Sequence, residues 1–149
     1  MFGTDSTLTS EWDIWEHFRL ARKSKLLTDN ELYNAVTTNA ARTWGVNSGQ
    51  IIEGKDADLV VAKKTNNDVG FDAFYALSPA DLLLVIHGGK IRLFGEELLE
   101  QLGEIKKRFS KIYINGACKY VQGDLPGLIA DIKKYQPNAN FPKSFTTPG

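Results

Sequence analysis

The chain's 149 residues include a single cysteine, Cys118, so no internal disulfide can form. That usage fits a reducing compartment, and a cytoplasmic protein is the expectation. An excess of charge of either sign is also missing, because eighteen Lys and Arg balance eighteen Asp and Glu. Without a basic footprint, nucleic acid and anionic membrane are disfavoured as partners. No apolar run approaches the roughly 18 residues of a membrane-spanning helix. The N-terminus lacks the basic-then-apolar pattern of a secretory signal. Phosphate-binding glycine loops, a dinucleotide fingerprint and a serine-nucleophile elbow are all absent. What is present is an ordinary globular composition, 42% hydrophobic and 24% charged, long enough for a real core.

Periodicity divides the chain. Residues 11–27 read as a helix with Ser10 as N-cap, acids in the first turn, and Ile14, Phe18 and Ala21 at helical spacing. Residues 29–43 read as a second, opened by Thr28 and Glu31 as a capping box and stopped by Gly45. Beyond Gly45 the pattern turns to strands. Gln50 to Glu53 is expected to be a short one, and "ADLVVAK" a better one after the turn "EGKDAD". "DLLLVIHGGKIRLFG" is a hairpin signal, since Gly88-Gly89 can take the positive φ angles of a tight turn. "KIYINGACKYV" repeats that logic at Asn115-Gly116. Between the hairpins, residues 96–109 are amphipathic and predict a helix, and "LPGLIADIKKY" predicts another. Residues 64–78 show no period and predict a long excursion. "QPNANFPKSFTTPG" reads as a tail on the surface or disordered.

Few residues could carry chemistry. Asp5, in "FGTDS", reads on its own as a turn or N-cap aspartate. His17 and His87 lack metal-ligand spacing and read as structural or surface residues. Cys118 follows a hairpin turn with no histidine near it in sequence, so a buried, inert thiol is expected. Trp12, Trp15 and Trp44 read as packing residues.

The longer array says more. "FGTDS", a helix, "LYNAVTTNAARTWGV", "GQIIEGKDADLVV" and a hairpin containing "VIHGGKI" together resemble the C-terminal end of the amidohydrolase superfamily. These are metal-dependent hydrolases such as cytosine deaminases, triazine chlorohydrolases and imidazolonepropionase. The resemblance runs from residue 2 to about 94, and its most specific part spans Thr37 to Val61. Residues 95–149 add little to it.

The resemblance implies an α/β fold: the end of a (β/α)8 barrel plus a small β-rich, sandwich-like accessory domain with added helices. Residues 1–45 would supply the last barrel strand end and the terminal helices. Residues 46–135 would form the β-rich domain, and 136–149 the tail. Asp5 would match the aspartate at the end of the eighth barrel strand, the face that carries barrel active sites. It would act as both metal ligand and proton shuttle. The metal would be divalent, zinc by default with iron or manganese as substitutes. Lys55, Asp56 and Asp58 would lie in a turn away from the metal.

The family's other ligands, a His-x-His pair and further histidines, are not in this sequence, and a whole barrel needs about 250 residues. The implied protein is therefore a C-terminal piece of a hydrolase of carbon–nitrogen bonds, inactive and metal-free in isolation. Its partners would be a small-molecule substrate and either the missing barrel segment or further copies of itself. The competing reading is a non-catalytic α+β binding or assembly module derived from the same superfamily.

Overall fold

The first described helix opens at Asp13. In a computed structural model of the chain, residues 2–3, 13–64, 66–139 and 145–146 are described, the last pair by backbone alone. Helix α1, Ile14–Ser24, begins where the Asp13 carboxylate accepts the Trp15 N–H at 2.9 Å. Ser10, the expected cap, lies outside the described residues. The helix ends at Lys25, which takes a left-handed φ of 56°.

Helix α2, Asp29–Val36, carries the complete capping box. Thr28 N–H donates to the Glu31 carboxylate at 2.8 Å, and Glu31 N–H donates to the Thr28 hydroxyl at 3.3 Å. The single helix expected over 29–43 is broken at Thr37 and resumes as α3, Thr38–Trp44. The cause is local. The Thr37 hydroxyl donates to the Tyr33 carbonyl at 2.9 Å, while Thr37 N–H turns to the Asn34 carbonyl. A side chain has taken the acceptor that the helical ladder would use.

No strand forms at Gln50 to Glu53. Turn bonds occupy that segment: Asn47 Nδ2 donates to the Gly54 carbonyl, Lys55 N–H to Ile52, and Asp56 N–H to Asn47. Gly49 sits at φ +83°, and a Cβ there would lie 2.7 Å from the Thr37 carbonyl oxygen. The backbone passes too close to the α2–α3 break for any side chain at this position. The expected excursion at 64–78 contains a short helix, α4, Gly70–Tyr75.

The strands are β1 (Leu59–Ala62), β2 (Leu82–His87), β3 (Lys90–Gly95), β4 (Phe109–Ile114), β5 (Ala117–Gln122) and β6 (Phe145–Thr146). They form one sheet in the order β1-β2-β3-β5-β4-β6. Pairing is antiparallel between β1 and β2, β3 and β5, β4 and β5, and β4 and β6. Gly88 and Gly89 turn at φ 54° and 71°, and Asn115 and Gly116 at 48° and 82°. Two successive positive φ angles match the right-handed strand twist, so both hairpins form as expected.

The helix expected over 96–109 is instead a 3₁₀ turn at Glu96–Leu98, one α turn (α5, Leu99–Leu102), and a second 3₁₀ run at Gly103–Arg108. Gly103 falls in the middle, where it weakens an α-helix by about 1 kcal/mol. The segment keeps its apolar side, with Leu98, Leu99, Leu102 and Ile105 against buried Phe94 and Tyr120. Helix α6, Leu125–Tyr135, is capped by Asp124 and has proline in its first turn.

The chain divides into two compact units. The first comprises residues 1–58, 64–78 and 87–89, and holds α1 to α4. Phe18, Leu32 and Tyr75 are its buried centre, packed by Phe2, Trp15, Ala21, Val36, Phe71 and Phe74. The second comprises 59–63, 79–86 and 90–149, the sheet-bearing unit. Its centre is Phe94, Cys118 and Tyr120, with the Phe94 and Tyr120 rings stacked at 4.9 Å. The fold is thus mixed α/β with an antiparallel sheet. Among the described residues no helix is long and apolar enough to cross a membrane.

Candidate functional site

Asp5, the one residue assigned to catalysis and to a metal, lies outside the described residues. The segment leading to it is anchored. Phe2 N–H donates to the Ala35 carbonyl of α2 at 3.1 Å, and the Phe2 ring packs on Phe18 at 4.8 Å between centroids. An apolar ring and a backbone bond therefore fix the chain three residues before Asp5 against α1 and α2. Gly3 is not forced by crowding, because nothing lies within 4 Å of a Cβ built there.

Around the same core, Arg22 of α1 gathers two carboxylates. It bonds Asp29 through two nitrogens at 2.9 and 2.8 Å and Asp72 of α4 at 2.6 Å, and its guanidinium lies 4.5 Å above the Tyr75 ring. A planar guanidinium suits both tasks, which an ammonium does not. Arg19 donates to the Tyr75 and Leu77 carbonyls at 2.9 and 3.0 Å. Both arginines hold α4 to α1. Burial pushes the Tyr75 phenol up, with the Asp29 charge adding to it. Its hydroxyl has no hydrogen-bond partner among the described residues.

The "GKDADLVV" acids divide their work. The Asp58 carboxylate accepts Gly88 N–H at 2.7 Å and meets His87 Nδ1 at 2.9 Å, with Ser48 adding a further side-chain bond. The Gly88 N–H, then the His87 and Ser48 bonds, hold its carboxyl below the ordinary 3.8. Asp58 is therefore the anchor of the Gly88-Gly89 turn, a structural use that agrees with its expected turn role. The His87–Asp58 pairing joins residues 29 apart in sequence, and no spacing rule announces it. His17 lines a shallow, mostly apolar hollow of about 500 Å³ with Phe2, Leu20, Ala21, Lys23 and Ser24. Cys118 is buried, and that burial pushes its thiol up, as an inert cysteine requires.

Among the described residues no three His, Cys, Asp or Glu side chains converge where they could hold a metal ion. The described residues thus do not fit a metal centre of their own.

The amidohydrolase family model matches residues 1–92, more than half of the chain. The chain belongs to the amidohydrolase family. The matched span takes in "FGTDS", "TTNAAR" and "GKDADLVV" and ends within β3. No curated protein and no solved structure matches the chain.

Proposed function

We infer that this chain supplies the C-terminal part of a metal-dependent hydrolase that cleaves carbon–nitrogen bonds, of the deaminase or cyclic-amidase type. Residues 1–45 provide the last barrel strand end and its helices, 46–135 the β-rich accessory domain, and 136–149 a tail. The remainder of the barrel comes from a preceding segment. Asp5 is the carboxylate assigned to the divalent metal, zinc by default, and to proton transfer. A carboxylate is short and ionised at neutral pH, which suits both duties. The metal's contribution, when bound, is to make water acidic enough to act near neutral pH. This chain's own contribution is to place Asp5, with the Phe2 anchor on α1 and α2 as the means.

The observation that carries the reading is the family match over 1–92, a span that encloses the three motifs. The isolated 149-residue chain is expected to be inactive and metal-free. Hydrolysis of a panel of amides, cyclic amides and cyclic amidines by the complete protein is the test, read as ammonia release for deamination and as ring-opened product for cyclic-amidase action. Asp5→Asn is expected to lower turnover by about 10²–10⁴-fold. Unchanged turnover would remove Asp5 from the chemistry, and stoichiometric zinc with hydrolysis by the isolated chain would overturn its being a part.

A further inference from the structure

We propose that β1 is a self-pairing edge, through which two copies of this chain join their sheets about a two-fold axis at Val61. The proposal is independent of the hydrolase reading. Among the described residues, β1 is the first strand of the sheet order and pairs with β2 on one side alone. On that side Ala57 accepts the Gly89 N–H and Lys63 donates to the Asp81 carbonyl, at 3.1 and 2.8 Å. Backbone groups alternate along a strand, so the odd residues from 57 to 63 face inward and the even ones face out. The Asp58 N–H is already given to the Asp56 carbonyl at 2.9 Å. Within the strand proper, Leu59–Ala62, the outward donor–acceptor sets are therefore those of Val60 and Ala62.

Those two positions select a register. A two-fold axis at Val61 sets Val60 of one copy opposite Ala62 of the other, twice, and uses all four N–H and C=O pairs. An axis at Val60 would instead set Ala62, inside the strand, opposite Asp58, whose N–H is already taken. The Val61 axis leaves that loss beyond the strand ends. In the Val61 register, Lys64 of one copy stands opposite Asp58 of the other, and Lys63 opposite Leu59. Charge is complementary at the strand ends, where Asp58 precedes the strand and faces Lys64. Asp56 is offset by Lys55 on one side, and Lys63 adds to the basic end on the other. Antiparallel pairing brings each acidic end to a basic one. The side chains are also those of a pairing strand, with Val60 62% and Val61 45% exposed. Edges that stay alone are normally blunted by an inward charge, proline or bulge, and the one irregularity here places its extra residue, Leu83, on β2. A four-residue strand buries little area, so the dimer is weak and concentration-dependent.

Sedimentation velocity of the purified 149-residue chain over rising concentration is the test, with circular dichroism as a check on folding. A dimer fraction that climbs with concentration is expected, and Lys64→Glu is expected to weaken it about tenfold. In a Cys118→Ala background, Val61→Cys is expected to cross-link across the axis, because facing residues there form the close, non-hydrogen-bonded pair. Lys63→Cys, displaced from its own copy along the strand, is expected not to. A chain that stays monomeric at every concentration overturns the proposal, as it would if a foreign strand were the true occupant of the edge. A dimer indifferent to Lys64→Glu, or one without the Val61 cross-link, overturns it equally.

Discussion

The helical unit and the sheet-bearing unit reach their cores by opposite routes. In the first, Phe18, Leu32 and Tyr75 come from three helices, and residues 18 and 75 are far apart in sequence. Nothing local specifies that meeting, so arginines fasten it: Arg19 and Arg22 each bind the α4 segment. In the second, Phe94 and Tyr120 are cross-strand partners, and the β4–β5 pairing follows from a two-residue turn. The contrast also bears on function. The family match covers the helical unit and stops within β3, so β4, β5 and α6 lie beyond it. What relates this chain to hydrolases thus spans the long-range helical packing together with β1, β2 and the Gly88-Gly89 turn, while the locally determined β4–β5 hairpin is outside the match.

The largest expected effects come from the two centres. Phe18→Ala and Phe94→Ala should each cost about 3–5 kcal/mol. The described tryptophans, Trp15 and Trp44, lie in the helical unit and the one cysteine in the sheet. Phe18→Ala should therefore shift tryptophan emission with Cys118 still protected from a thiol reagent, and Phe94→Ala should do the reverse. Identical responses to both substitutions would erase the distinction between the units.

Next in size is Arg22→Met, which strips two carboxylates of their partner. With the side chain 36% exposed, solvent screening limits the loss to about 1–2 kcal/mol, read by urea unfolding of the helical unit. Tyr75→Phe should move stability the other way by about 1 kcal/mol, since it deletes a buried hydroxyl that has no partner among the described residues. A loss of stability in Tyr75→Phe would show that the hydroxyl is in fact bonded.

The smallest effect is acid dependence at the hairpin tip. Asp58 is held below its ordinary 3.8, so folding favours its ionised form. Its contribution is complete above that ordinary value and is lost as pH falls through the lower, folded one. Thermal melts of Asp58→Asn should therefore match wild type most closely below pH 3.8 and fall short of it above.

Much of this was legible in residues. Thr28 and Glu31 announced their capping box, and Gly88-Gly89 and Asn115-Gly116 their turns, because each depends on neighbours within four positions. Two of the departures from the periodic pattern share one cause, and the third, over 96–109, follows from Gly103. The helix at 29–43 broke because the Thr37 hydroxyl competed for a carbonyl, and the strand at 50–53 gave way to turn bonds with Asn47. Such choices rest on bonds that periodicity does not register. The site was legible only as a motif: Asp5 was picked out by its company, and its surroundings lie outside the described residues.

By itself the sequence determined the family, the hairpins, the capping box of α2 and the neutral charge, all properties of neighbours or of order along the chain. Tertiary structure alone decided that Arg22 would bind Asp29 and Asp72, that Asp58 would anchor a turn 29 residues away at His87, and that β1 would end the sheet with two valines exposed. Each of these needs segments brought together from a distance, and a meeting of that kind is set by the packing of the whole core, which no local pattern encodes.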